Sequence, residues 1–238
     1  MQLPNIKILD ESNKILHKKS SNVTFPLDEE TKKLIDDSLT YLEMSQIEEY
    51  SEKYDLRPGM GLSFVQIGIL KRIFVVSEEI EEGKFNRYVV INPRVKSVSE
   101  ELIYVGEGEG CLSVNREVEG IVPRHARITV EAYDENGDLY DIRVREDMAV
   151  AFQHELDHLD GLILSDVGLE IGEDFDNAPQ EEKDEVIKAY LDSLDLKLKD
   201  LNKEIEENDE LKQTNNAIKF MEKLQKGEIT FEHVRKEE

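Results

Sequence analysis

The chain has 238 residues, enough for one sizeable domain with an appendage or for two small domains. Its formal net charge of −24 opposes direct binding to nucleic acid, which requires a basic surface. A single cysteine excludes an intramolecular disulfide, no segment has the apolar length of a membrane-spanning helix, and the amino terminus lacks the apolar core of a signal peptide. We therefore expect a cytoplasmic protein that contacts no membrane.

Two helices are predicted near the amino terminus. Apolar residues recur at helical spacing over residues 28–42, and Asp28 is well placed to cap the first turn. Ser45 and Glu48 have the spacing of a capping box, which predicts a second, short helix that reaches about Tyr54.

Strands dominate the middle of the chain. Residues 73–76 and 88–91 are rich in β-branched and aromatic side chains, as is typical of buried strands. Residues 127–134 and 139–145 flank the sequence ENGD, in which Asn-Gly favours the positive φ angles of a tight turn. The sequence therefore predicts an antiparallel hairpin at this place.

A helix is predicted at residues 146–160, with Gly161 as its carboxyl-terminal stop. Because strands come first and this helix follows them, the order of elements indicates an α+β fold and not an alternating parallel one. We predict that antiparallel strands pack around this central helix.

The composition changes after about Asp166. Residues 167–238 carry 21 acidic and 11 basic residues. Apolar residues at alternating steps of four and three follow Pro179, and residues 211–224 can form a second helix. We therefore divide the chain into a catalytic domain at 1–166 and an acidic helical extension at 167–238, which is either a docking arm or a helical hairpin lying on the first domain.

The sequence HELDH at residues 154–158 contains the candidate catalytic and metal-binding residues. His154 and His158 are four residues apart, so on a helix both imidazoles project from one face and can reach one metal ion. Glu155 lies one position round the helix and is free to transfer a proton. The only cysteine, Cys111, is the candidate third ligand, which leaves a fourth position open to water. Zinc, ferrous iron, cobalt and nickel all suit such a ligand set.

Two other kinds of metallopeptidase also use an HExxH helix. A metzincin requires a third histidine at position 164, where this chain has Leu164. A thermolysin-like enzyme would take a downstream glutamate ligand such as Glu170 or Glu173. Neither scheme gives a role to the sequence GEGCLS around Cys111.

Three motifs in the same order resemble those of peptide deformylases, in particular the longer, Gram-positive-type branch of that family. GMGLSFVQIG at 59–68 is similar to the glycine-rich first motif, EGCLS at 109–113 to the second and HELDHLDG at 154–161 to the third. The similarity extends from about residue 6 to residue 166 and includes VPR at 122–124.

The resemblance implies removal of the formyl group from N-formylmethionyl nascent peptides, with release of formate. It also implies one divalent metal ion, iron in the cell, that lowers the pKa of a bound water. Glu155 would take the water proton and return it to the leaving amine. The remaining implied roles are metal ligation by Cys111, His154 and His158, stabilisation of the oxyanion by the side-chain amide of Gln66 and the backbone N–H of Leu112, and substrate contacts at Gly61.

One departure from the family pattern concerns Ser63 and Phe64, which stand where the family usually has two alanines. We expect these two residues to affect local packing and the shape of the pocket, without touching the metal ligands or Glu155. Glu109 is expected to support the metal site through a partner that the sequence does not identify.

The resemblance also suggests a partner beyond the peptide substrate. A deformylase meets nascent chains at the ribosome, and an acidic extension would be repelled by RNA and attracted to a basic protein surface. Two rival hypotheses remain open at this point. One is a metallopeptidase of the HExxH type, and the other is a deformylase-like binding protein that has lost its activity.

Overall fold

The computed structural model describes residues 2–106, 108–116, 118 and 120–168. Farther along the chain it describes six positions between 178 and 189, and the backbone of a strand at Val234–Glu237. The helices are α1 (Glu29–Gln46), α2 (Glu48–Tyr54), α3 (Asp147–Leu159), α4 (Leu164–Val167) and a 3-10 helix (Phe64–Ile67). The strands are β1 (Gly61–Ser63), β2 (Ile73–Glu81), β3 (Lys84–Val98), β4 (Leu102–Val105), β5 (Arg124–His125), β6 (Arg127–Tyr133), β7 (Leu139–Arg145) and β8 (Val234–Glu237).

Two sheets organise these strands. The larger one has the order β1-β2-β3-β6-β7 and is antiparallel throughout, whereas the smaller one has the order β5-β4-β8. In the smaller sheet β4 pairs antiparallel with β5 and parallel with β8. Strands that are mostly antiparallel, combined with separate helices, make this an α+β fold, as predicted.

The larger sheet is covered by a helix on each face. Phe74 and Val76 of β2 belong to an apolar cluster with Phe152 of α3. Their neighbours Ile73 and Val75 pack on the opposite face, in a cluster that includes residues of α1. Successive side chains of a strand point to opposite faces, so four apolar residues in a row are buried on both sides. This arrangement confirms the predicted buried strand and makes α3 the central helix.

The two amino-terminal helices follow their prediction in part. Asp28 caps α1 by accepting a hydrogen bond from the backbone N–H of Thr31, as expected, and the helix continues to Gln46. The predicted capping box is wrong, because Ser45 lies inside α1 and its hydroxyl donates to the carbonyl of Leu42. Ile47 occupies the N-cap position of α2 and offers no side-chain hydrogen bond.

The predicted hairpin is present, with a longer loop than expected. Strands β6 and β7 pair over seven residues, from Arg127 opposite Arg145 to Tyr133 opposite Leu139. The loop at 134–138 is held by the Asp134 carboxylate, and only its glycine, Gly137, has a positive φ, at +87°. Strands β2 and β3 also extend beyond the predicted segments, because their charged ends pair in a second hairpin.

Helix α3 ends where the sequence predicts. Asp160 is its C-cap, and Gly161 follows with a φ of +82°. A β-carbon at Gly161 would lie 3.0 Å from the backbone of His17, so both the turn and the close packing favour glycine. Beside this end of the helix, the buried Arg72 guanidinium donates to the Asp160 carboxylate at 2.7 Å.

Most of the predicted acidic extension lies outside the described residues, including the proposed helix at 211–224. Lys183 donates its backbone N–H to the carbonyl of Pro179, as expected for a helix that begins there. Strand β8 was not predicted. Within the described part of the chain, no helix is long and apolar enough to cross a membrane.

Candidate active site

A cleft of about 580 Å³ lies between α3, β1 and the loop that carries Cys111. Its walls combine glycines, apolar side chains and a few polar groups, which is the usual make-up of a ligand site. Six of the seven residues predicted for the site line it, namely Gly61, Gln66, Cys111, Leu112, His154 and Glu155. The seventh, His158, is buried next to Cys111.

Three side chains are arranged to hold a metal ion. One ligand atom from each of Cys111, His154 and His158 can be chosen so that all three lie within 4.8 Å of one another. The sulfur of Cys111 is 3.3 Å from Nε2 of His158, and the two imidazole rings are 4.9 Å apart at 78°. A thiolate and two imidazoles form a donor set that suits a divalent transition metal, so these residues fit such an ion.

The orientation of His154 is fixed from behind by a buried ionic group. Its Nδ1 lies 2.9 Å from Oε2 of Glu109, which leaves Nε2 free for a metal. Both oxygens of Glu109 accept hydrogen bonds from Arg124, at 2.8 and 2.9 Å. Arg124 also donates to Asp157 of α3 at 2.5 Å. This group, Glu109–Arg124–Asp157, ties the second and third motifs together through one guanidinium.

The two histidines differ electrostatically in the metal-free protein. Burial lowers the pKa of His158 well below its ordinary value, and the charges of His154 and Arg124 act in the same direction. Burial also disfavours a charged His154, but hydrogen bonds and charges from Cys111 and Glu109 raise its pKa well above the ordinary value. His158 is therefore neutral and ready to bind a metal, whereas His154 must exchange a proton for it.

Glu155 lies in a small pocket formed by β1. Its Oε2 accepts a hydrogen bond of 2.7 Å from the hydroxyl of Ser63. A β-carbon at Gly61 would lie only 2.8 Å from Cγ and 2.9 Å from Cδ of Glu155, so the carboxylate occupies space that any side chain at position 61 would fill. Gly61 is therefore required by the close approach of Glu155, since its backbone is not in the left-handed region.

The environment of Glu155 also changes its affinity for protons. Burial raises its pKa to about 7, although the charge of His154 and the hydrogen bond from Ser63 oppose the rise. A carboxyl group with this pKa exchanges protons readily near neutral pH.

Gln66 contacts Cys111 across the fold, and Leu112 follows Cys111 in the chain. The side chain of Gln66 is oriented by its Oε1, which accepts from the backbone N–H of Ser63 at 2.9 Å. Its Nε2 then faces the hydroxyl of Ser113 at 3.2 Å and the sulfur of Cys111 at 3.9 Å. In the described part of the chain, no acceptor is hydrogen-bonded to the backbone N–H of Leu112.

One expectation about the unusual residues of the first motif is wrong. Ser63 was expected not to touch Glu155, yet it donates a hydrogen bond to its carboxylate. Phe64 is fully buried in the apolar cluster beside α1 and does not line the cleft. The error arises because Ser63 and Glu155 are 92 positions apart and only the fold brings them together.

One residue of the site, Arg124, is not predicted by the sequence analysis, although the VPR motif that contains it is part of the resemblance. Arg124 belongs to VPR at 122–124 and is the partner that Glu109 lacked. The available signal was the combination of an unpaired glutamate and an arginine within one region of similarity. Arg57 was missed as well, and it donates to the backbone carbonyls of Leu112 and Val114 at the rim of the cleft.

Known proteins similar to this chain agree on one family. Residues 6–169 match the family model described as polypeptide deformylase. A peptide deformylase from Shouchella clausii is 45% identical over 159 residues, which cover 67% of this chain and 87% of the relative. The corresponding values for one from Halalkalibacterium halodurans are 44% identity over 159 residues, with coverage of 67% and 87%.

Solved structures show the same likeness. The peptide deformylase from Thermotoga maritima is 30% identical, with a TM-score of 0.54 over 68% of this chain and 96% of that one. A probable peptide deformylase from a Synechococcus phage is 32% identical, with a TM-score of 0.55 over 68% and 99%. The chain belongs to the polypeptide deformylase family, which confirms the resemblance seen in its motifs.

Proposed function

We propose that this member of the polypeptide deformylase family removes the formyl group from N-formylmethionyl nascent peptides and releases formate. One observation carries the proposal: Cys111, from the second motif, lies within ligand distance of both histidines of the third motif. A metallopeptidase of the HExxH type has no use for this cysteine, so the geometry favours the deformylase.

Cys111, His154 and His158 would hold one divalent metal ion. We propose iron as the ion in the cell, with nickel, cobalt and zinc as ions that the same donors accept. Such an ion supplies Lewis acidity, which lowers the pKa of a bound water towards neutrality. Glu109 keeps the Nδ1 proton of His154 engaged and so presents Nε2 of that ring to the cleft.

Glu155 is proposed to transfer a proton from water to the leaving amine. Its carboxylate would take a proton from water and pass it to the amine that leaves when the formyl C–N bond breaks. A pKa of about 7 suits both steps, because the group can bind the proton and release it at neutral pH.

Two donors are proposed to stabilise the negative oxygen that develops on the formyl carbonyl. The Gln66 amide is 3.9 Å from the sulfur of Cys111, a long contact, so this N–H can turn to a substrate oxygen. The backbone N–H of Leu112 is the second donor. Gly61 would let the peptide approach β1 closely, and Met60 and Val150 would give the cleft an apolar lining that suits a methionine side chain.

The decisive experiment measures formate release from a formyl-Met peptide together with metal content. We expect Cys111→Ser to lose both tight metal binding and turnover, because a neutral hydroxyl is a poor replacement for a thiolate ligand. A variant that keeps the wild-type metal content and cleaves internal peptide bonds would instead support the peptidase. Absence of formate release after anaerobic loading of the wild-type protein with iron, nickel or cobalt would support an inactive binding protein.

Further proposals concern the cellular location of the enzyme and the role of its carboxyl-terminal residues. We propose that it works in the cytoplasm, where formylated chains emerge, and that residues 167–238 form a separate acidic extension. With a net charge of −10, this extension would dock on a basic protein surface of the ribosome and would be repelled by its RNA.

A further inference from the structure

Ser63 occupies a position in β1 from which its side chain must face Glu155. Residues two apart on a strand point to the same side, so Gly61 and Ser63 share the face towards α3. Leu62, between them, is fully buried in the cluster on the other face of the sheet. A single strand therefore supplies both the space for the Glu155 carboxylate, at Gly61, and a hydroxyl directed at it, from Ser63.

The hydroxyl of Ser63 is fully buried and has two acceptors on the same residue. Its oxygen is 2.7 Å from Oε2 of Glu155 and 3.0 Å from the backbone carbonyl oxygen of Glu155. A hydroxyl has one proton to donate. The shorter distance falls in the range of hydrogen bonds to a charged carboxylate, so we assign the proton to Oε2.

Ser63 is also the only hydrogen-bond partner of the Glu155 carboxylate among the described residues. On its other side the carboxylate packs against the backbone of Gly61. This contact limits the space available to the carboxylate but does not fix its orientation. The hydroxyl of Ser63 is therefore the side-chain group that orients the Glu155 carboxylate. An alanine at position 63, the residue that the family pattern leads one to expect, would remove this constraint.

We propose that Ser63 is a positioning residue, which holds the carboxylate of Glu155 in the orientation needed for proton transfer. The inference rests on the proposed role of Glu155. The side chain of Gln66 is oriented by the backbone N–H of Ser63, which every substitution except proline keeps. A change of the Ser63 side chain therefore acts on Glu155 while leaving the hydrogen bond that orients the Gln66 amide in place.

The test compares Ser63→Ala with wild type in the metal-loaded full-length protein. We expect kcat for formate release to fall about tenfold, since a hydrogen bond to a charged group is lost, with KM and metal content unchanged. Ser77→Ala is the matched control, because Ser77 is also a fully buried serine whose hydroxyl faces a carboxylate, that of Glu43 at 3.4 Å. We expect this control to keep wild-type kcat.

A double-mutant cycle separates positioning from a merely structural role. In a Glu155→Gln background, Ser63→Ala should cause little further loss of kcat, because the group that it positions no longer transfers a proton. An equal further loss in that background would overturn the proposal. Crystal structures of the single variant supply a second readout, in which we expect the Glu155 side chain to leave its original rotamer.

Two results would separate the failure of this inference from that of the proposed function. Wild-type kcat in Ser63→Ala, with Glu155→Gln inactive, would overturn the positioning role alone. Absence of formate release from the metal-loaded wild-type protein would overturn the proposed function itself. If Ser63→Ala does not fold, Ser63→Cys keeps the shape of the side chain with a weaker donor, and wild-type kcat in that variant would contradict the proposal.

Discussion

Two buried glutamates in the same site show how their surroundings give one kind of side chain two different properties. The side chain of Glu109 is 4% exposed, and Glu155 as a whole residue is 3% exposed. Burial opposes the charge of both, but Arg124 and His154 lower the pKa of Glu109 to about 2. Among the described residues, no guanidinium lies beside Glu155, and burial raises the pKa of this residue to about 7.

This difference indicates a division of labour. A carboxylate that is held charged by a bidentate guanidinium does not exchange protons near neutrality, so it serves to fix a neighbour in place. A buried carboxyl group whose side-chain partner is a neutral hydroxyl can be charged or neutral at little cost. We therefore expect substitution of Glu155 to affect chemistry and substitution of Glu109 to affect stability and the metal site.

The largest expected effect comes from Glu155→Gln. The amide keeps the size of the side chain and accepts the Ser63 hydrogen bond, but it cannot take a proton from water. Turnover should fall by about 10²–10⁴-fold, measured as formate release. Metal content should stay at the wild-type level because Glu155 is not among the proposed ligands. Turnover above a tenth of the wild-type rate at full metal occupancy would contradict the proposed division.

Gly61→Ala tests whether the position of Glu155 matters as well as its chemistry. The new methyl group would fall on the space of the Glu155 side chain and displace the carboxylate. Displacements of about 1 Å in an active site can cost about 10²-fold in rate, which is the fall that we expect in kcat. Gly110→Ala is the control, since a β-carbon there meets nothing within 4 Å. Equal losses in both variants would refute the steric explanation.

The last and smallest expected effect is on the stability of the metal-free protein at acid pH. The pKa of Glu109 is below its unfolded value of 4.5, so its contribution to stability is complete above pH 4.5 and is lost as the pH falls towards 2. Glu109→Gln should lower the free energy of unfolding at neutral pH by about 3 kcal/mol and should flatten its decline over that acidic range.

Urea unfolding at a series of pH values measures this effect. Glu11→Gln is the comparison variant, because Glu11 pairs with Arg116 at the surface and should contribute less than about 1 kcal/mol. A Glu109→Gln variant whose stability still declines as steeply as that of the wild type between pH 4.5 and 2 would show that Glu109 is not the group responsible.

Elements with strong local signals could be predicted from the sequence. The ENGD hairpin has its turn glycine at Gly137, and α3 is followed by the stop residue Gly161. Both elements are present in the structure. The ends of β2 and β3 could not be found in this way, since SEEIEEGK has no apolar pattern. These ends are strands because each supplies the other's backbone hydrogen bonds, and burial contributes little there.

Prediction of the candidate site from the sequence is likewise limited to residues with a local pattern. His154, Glu155 and His158 form a local pattern, so their arrangement on one helix could be predicted. Cys111 could be nominated because it is the only thiol of the chain. The contacts of Glu109 with Arg124 and of Ser63 with Glu155 join separate parts of the chain, and no local spacing encodes them.

The attachment of α3 has a consequence for how the site loses its metal. Asp157 is paired with Arg124 of the small sheet, and Asp160, one turn later, with Arg72, which immediately precedes β2. The helix cannot turn about its axis without breaking a buried ion pair. We therefore expect the dissociation of the ion to follow the protonation of its ligands, and not local unwinding of the helix, so that acid should strip the metal before it unfolds the chain.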